Sequence, residues 1–164
     1  APSIEDLHHG GGQQLHRSGT LDAAGAVAFA QAATLAEDQR VETEDRLVAL
    51  SKRLRDGLVA AAPGVVASGD PHNRLFHIVH VTVEGAEGDV LLYLLDEKGI
   101  RVSTGSACQA GVPEPSHVLL AMGLDEATAR GALRMSLGPN TSEEDVERVL
   151  AAFSQVVASA RAAG

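Results

Sequence analysis

From Asp22 to Ala62 the chain contains no proline, and Ala, Leu, Glu, Gln and Arg dominate it. No other feature constrains the fold as much. The composition is that of helix, and Pro63-Gly64 is a sharp stop. The first half sets Val27, Gln31 and Leu35 in line, with small alanines between them. The second carries Leu47, Leu50, Leu54 and Leu58, an apolar stripe at helical spacing. The pattern predicts one long bent helix or two in sequence. Such a stripe has to be buried against other elements.

The remaining residues supply them. Residues 1–20 read as a loop punctuated by Gly10, Gly11 and Gly12. Val65–Ala67 reads as a short strand and Ser68-Gly69-Asp70-Pro71 as a turn. Leu75–Val83 is β-branched and weakly alternating, a second strand. Gly88–Lys98 reads as a buried helix, with Gly99 at its C-terminal cap. Ile100–Ser103 is expected to be a short strand, Ser116–Met122 a helix stopped by Gly123, and Asp125–Arg130 another. Leu133–Leu137 is a strand with Leu133, Met135 and Leu137 on one face and Arg134 on the other. Thr141-Ser142-Glu143-Glu144 reads as a capping box. It opens a last helix with the stripe Val146, Val149, Leu150, Phe153, Val157 and Ala160. This order predicts an α/β or α+β layer, with helices packed on one small sheet.

Composition limits what such a domain does. At 164 residues a real core is possible, and with aromatics at 2% it is built from Ala, Val and Leu. A net charge of −9 disfavours nucleic acid and anionic membrane as partners. No run reaches the length of a spanning helix, and no signal peptide is evident. One cysteine excludes a disulfide framework and a multi-cysteine zinc site, so a cytoplasmic setting is the expectation. The chain opens Ala1-Pro2-Ser3 without Met, as if from the middle of something. A processed or truncated protein and a trimmed N-terminus remain equally open.

Three places can carry chemistry. Cys108 sits in Arg101–Pro115, a stretch of Gly, Ser, Ala and Pro between apolar elements. Unpaired cysteines are usually small buried hydrophobes. Loop-forming neighbours, and a helix N-terminus just beyond, instead favour an accessible thiolate. Arg134 stands in a short apolar strand, where a guanidinium suits bidentate capture of a carboxylate; the ordinary alternative is a solvated charge. Gly10-Gly11-Gly12 through Ser18-Gly19-Thr20 can present N–H groups and hydroxyls to a phosphate, or be a linker ending in an N-cap. His8 and His9 are adjacent, and His77 and His80 are expected on opposite faces of a strand, so no metal site is formed. His117 is either a base near the thiol or a residue that caps or packs its helix.

Together these stretches resemble the cysteine desulfurases, pyridoxal-phosphate (PLP) enzymes of the class V aminotransferase family. The resemblance rests on Gly10-Gly11-Gly12-Gln13-Gln14 with Arg17-Ser18-Gly19-Thr20, and on Gly99-Ile100-Arg101-Val102-Ser103-Thr104-Gly105-Ser106-Ala107-Cys108. It continues in Glu114-Pro115-Ser116-His117-Val118-Leu119 with Ala121-Met122-Gly123, and in Leu133-Arg134-Met135-Ser136-Leu137-Gly138. Order and intervals match over almost the whole chain.

The resemblance implies the C-terminal portion of a fold-type I PLP enzyme. Residues 1–21 would be the tail of the large cofactor domain, 22–62 the connecting helix or helices, and 63–164 the small domain bearing the thiol loop. It implies that Cys108 attacks the sulfur of a PLP-bound L-cysteine, giving L-alanine and a persulfide. That sulfur would pass to an acceptor or iron–sulfur scaffold protein. Arg134 would bind the substrate carboxylate, and Thr20 the cofactor phosphate of the other subunit in a homodimer. A depressed thiol pKa would make Cys108 the better nucleophile.

Two departures stand out. The family's Schiff-base lysine lies upstream in a Ser-x-His-Lys context, with the ring-stacking histidine and the aspartate at the pyridine nitrogen. Here the only lysines are Lys52 and Lys98, in other contexts. The Gly-rich segment is also shorter before Arg17, with Gln14 where Glu is common. A selenocysteine lyase or sulfinate-removing relative is the alternative within enzymes. A non-catalytic sulfur carrier, an inactive fragment, or a chain completed by a separate N-terminal half are the others.

Overall fold

The computed structural model describes residues 18–70, 73–104 and 115–163. They form two compact units, divided between Val41 and Glu42.

In the first unit, α1 spans Ala23–Asp38. The Asp22 carboxylate starts it by accepting from the Gly25 N–H at 2.8 Å, which satisfies one of the N–H groups a helix start leaves over. The helical arm is two helices: α1 ends at Asp38 with Gln39 as its C-cap, and α2 runs Arg40–Ala61. No proline forces the break. Glu37 and Asp38 close α1 where the helix dipole disfavours carboxylates, and Arg40 turns back to pair with Glu37 at 3.0 Å. None of the 16 residues of α1 is buried.

The second unit begins within α2. Its stripe is buried as the spacing requires: Leu47, Leu50, Leu54 and Leu58 share one core with the sheet and with α3 and α6. Most of α2 groups with the C-terminal residues.

Among the described residues the sheet has four strands in the order β1-β2-β4-β3, every neighbouring pair antiparallel. They are β1 (Val65–Ala67), β2 (Ile78–Val83), β3 (Ser103–Thr104) and β4 (Ala132–Ser136). Helix α3 (Gly88–Asp96) follows β2, α4 (His117–Ala121) and α5 (Glu126–Arg130) precede β4, and α6 (Glu143–Ala163) ends the fold. Val79, Val81, Val83, Leu133 and Met135 point from the strands into the core, where they meet Leu91, Leu95, Phe153 and Val157. Leu119, Ala129 and Ala132 form a smaller cluster, with α4 and α5 over one end of the opposite face.

Several boundaries differ from the sequence reading. The strand expected from Leu75 begins at Ile78, because the Ile78 N–H turns back to the Leu75 carbonyl at 3.2 Å and Arg74 binds the Ile78 carbonyl. His77 therefore lies before the strand, not on it.

The strand expected at Ile100–Ser103 is only Ser103–Thr104. The reason is the end of α3. Ile100 N–H reaches the Leu95 carbonyl at 3.0 Å and Gly99 N–H the Asp96 carbonyl at 2.8 Å. With Gly99 at φ +72° this is the Schellman arrangement, so Ile100 closes a helix instead of opening a strand. Gly123 ends α4 by the same pair of bonds.

The capping box of α6 lies one residue later than expected. Ser142 Oγ accepts from Asp145 N–H at 3.1 Å, and the Asp145 carboxylate accepts from Ser142 N–H at 3.0 Å. Thr141 instead takes the Gly138 N–H. No helix among the described residues is long and apolar enough to cross a membrane.

Candidate functional site

Strand β4 is interior to the sheet, and alternation gives its two faces opposite characters. Leu133 and Met135 anchor it in the core, while Arg134 between them is exposed on the other face. The registers put His80 of β2 opposite Arg134 on one side and Ser103 of β3 opposite it on the other. Cross-strand partners share a face, so His80, Arg134 and Ser103 form one polar row.

Arg134 and His80 line an open cleft of about 320 Å³, together with Ser68, Thr104, Ser116 and Met122. Arg134 is bound by no carboxylate or carbonyl among the described residues. Other arginines are already paired: Arg53 with Glu147 at 2.6 Å, Arg130 with Glu126 at 2.7 Å, and Arg148 with Asp145 at 3.0 Å. A guanidinium on a rigid strand, open to a cleft and without a counter-charge among the described residues, is suited to a carboxylate or phosphate.

His80 is half-buried beside it. Burial first, and then the Arg134 charge, hold its imidazole below the ordinary pKa of 6.5. It is therefore neutral near pH 7. Nδ1 of His80 is buried without a hydrogen-bond partner among the described residues.

Of the residues singled out from sequence, Arg134 stands where the alternation of β4 put it. Cys108 lies outside the described residues, as do His8, His9 and the glycines of the first loop. The described residues nearest to Cys108 on each side are Thr104 and Pro115. Thr104 and Ser116 both line the Arg134 cleft. Thr20 is exposed in the first unit, between Gly19 and the Asp22 cap of α1. His117 is the exposed first residue of α4 and accepts no capping role, since the N-cap is Ser116. At five residues α4 also contributes little of the dipole expected beside the thiol. Lys52 is bound to Asp56 at 2.6 Å on the surface of α2, and Lys98 is exposed past α3. His80 was noted in the sequence only as failing to make a metal site. Its place in the polar row depends on strand register, which no local pattern reveals.

Residues 2–149 match the family model described as aminotransferase class-V. The chain belongs to that family. Among class-V relatives, the IscS-like cysteine desulfurase of Mycobacterium tuberculosis is 51% identical over 96% of this chain. The cysteine desulfurase NifS of Azotobacter vinelandii is 37% identical over 94% of it. A solved NifS-like protein from Rickettsia africae superposes with a TM-score of 0.77 at 28% identity, over 94% of this chain and 40% of its own. A second NifS-like structure gives 0.78 at 32% identity. The chain spans about 40% of the length of the curated relatives it matches.

Proposed function

We propose that this class-V chain is the substrate-carboxylate and sulfur-accepting part of a cysteine desulfurase. The observation that carries this reading is Arg134, exposed on an interior strand in a cleft and without a counter-charge among the described residues. Its support is the identity to relatives named cysteine desulfurase.

L-cysteine would be held by its carboxylate at Arg134. The Cys108 thiolate would form an S–S bond with the substrate sulfur as the substrate's C–S bond breaks. The carbon would take the electron pair and a proton, giving L-alanine and a persulfide on Cys108. The terminal sulfur would pass to an acceptor thiol or an iron–sulfur scaffold protein in the cytoplasm. Cys108 is four residues along the chain from Thr104, which lines the cleft.

Pyridoxal 5'-phosphate is the family's cofactor, and it requires a lysine for covalent attachment. Neither Lys52, engaged by Asp56, nor Lys98 lines the cleft, so the residues present do not fit a covalent anchor. The anchor is assigned to polypeptide outside these residues. Thr20 would offer its exposed hydroxyl to the cofactor phosphate across a homodimer. The exposed Val27, Phe29 and Leu35 of α1 support a chain that works in a larger assembly.

The same lysines favour a second reading, a sulfur carrier that only receives persulfide. In the enzyme containing this chain, R134A is expected to raise KM for L-cysteine far more than C108S does, while C108S abolishes persulfide on this chain. L-selenocysteine as the preferred substrate would move the assignment to a lyase. The chain alone is expected to form no borohydride-reducible adduct with PLP; one mapped to Lys52 or Lys98 would overturn the lysine argument.

A further inference from the structure

Beside Arg134 stands a histidine to which the proposed reaction gives no task. His80 faces Arg134 across β2 and β4 and lines the same cleft. Val79 and Val81 on either side of it are buried on the opposite face, so the strand sends the His80 side chain to the cleft face.

The two ring nitrogens have different surroundings. Nδ1 is buried and has no hydrogen-bond partner among the described residues. A buried N–H without an acceptor is more costly than an unused lone pair. The favoured tautomer therefore leaves Nδ1 bare and puts the proton on Nε2. Adding a second proton would place an N–H at Nδ1 with nothing to receive it, next to the Arg134 charge. The low pKa has the same origin. Arg55 and Arg74 line a neighbouring cleft that His80 also borders. The result is a ring held neutral, with one N–H to offer.

We propose that His80 is a carboxylate-binding residue: its Nε2–H donates to the anion that Arg134 holds, fixing the second carboxylate oxygen. The inference rests on the reading of Arg134 as the carboxylate anchor. A neutral donor adds a hydrogen bond without a second cation, so the site suits a singly charged carboxylate. Donation to an ionised oxygen is among the stronger hydrogen bonds.

The test is binding of L-alanine, an unreactive carboxylate of the right class, to the full 164-residue chain labelled with nitrogen-15 at histidine. In the free chain at pH 7.5 the His80 ring is expected to show the Nε2–H tautomer. L-alanine should then shift the Nε2 signal saturably. H80A should weaken affinity roughly tenfold or more. H80Q, whose amide reaches the Nε2 position, should recover most of it, and H80N should not. R134A should remove the response.

Loss of binding in R134A with unchanged affinity in H80A would overturn the role of His80 and leave Arg134 as the anchor. Unchanged binding in R134A, or no saturable shift in the parent chain, would overturn both. An Nδ1–H tautomer would overturn the His80 role without any variant.

Discussion

The two faces of the sheet are made by the same strands, yet different physics governs each. On one face Val79, Val81, Leu133 and Met135 are almost fully buried under α2, α3 and α6. On the other, His80, Arg134 and Ser103 stand in a row along an open cleft. The apolar face depends on volume, because a close-packed core loses contacts with any deletion. The polar face depends on position, because its groups need only be held at the right places. Substitutions should therefore separate stability from binding according to face.

The largest effect should come from the packed side. Phe153→Ala empties the centre of the core beneath the sheet and is expected to cost about 3–5 kcal/mol in urea unfolding. Should the second unit keep its midpoint, the core would not depend on α6 as the burial indicates. Arg134→Ala is the converse. Carboxylate affinity should drop by roughly tenfold to a hundredfold, while unfolding changes by less than about 0.5 kcal/mol. Calorimetric binding of L-alanine, paired with a thermal melt of the same sample, would reveal any mixing of the two roles.

Smaller effects sharpen the contrast. Ser142→Ala removes the cap of α6, far from the cleft residues, and should cost about 1 kcal/mol of stability with binding unchanged. His80 links the faces by pH. Its folded pKa is depressed below 6.5, so the unfolded chain binds more protons as pH falls through that value. Stability should be greatest above about pH 6.5 and decline as pH falls toward the folded pKa. His80→Gln should flatten that part of the profile in melts from pH 7.5 to 5.5. An equal slope in both proteins would remove His80 as the source.

How far all this was legible in the sequence depended on the range of the interaction. Leu47, Leu50, Leu54 and Leu58 announced the buried face of α2 because helical periodicity is local. Gly99 and Gly123 marked helix ends for the same reason. Arg134 was legible through alternation with Leu133 and Met135. Ile100 was misread because a Schellman bond and a strand start look alike in an apolar residue after glycine. The capping box lies one residue later than the pattern suggests because Thr141 and Ser142 are both competent, and the turn before α6 engages the Thr141 hydroxyl with the Gly138 N–H three residues back.

What the sequence by itself determined is the family, the helical arm, the alternation that turns Arg134 away from the core, and Cys108 as the sole thiol. Those follow from spacing and residue type along the chain. Tertiary structure decided what Arg134 stands beside. Only the pairing of β2 and β3 with β4 brings His80 and Ser103 into its row, and only burial by tertiary packing leaves Nδ1 of His80 without a partner among the described residues. Register and burial are sums over residues distant in sequence, which no local pattern encodes.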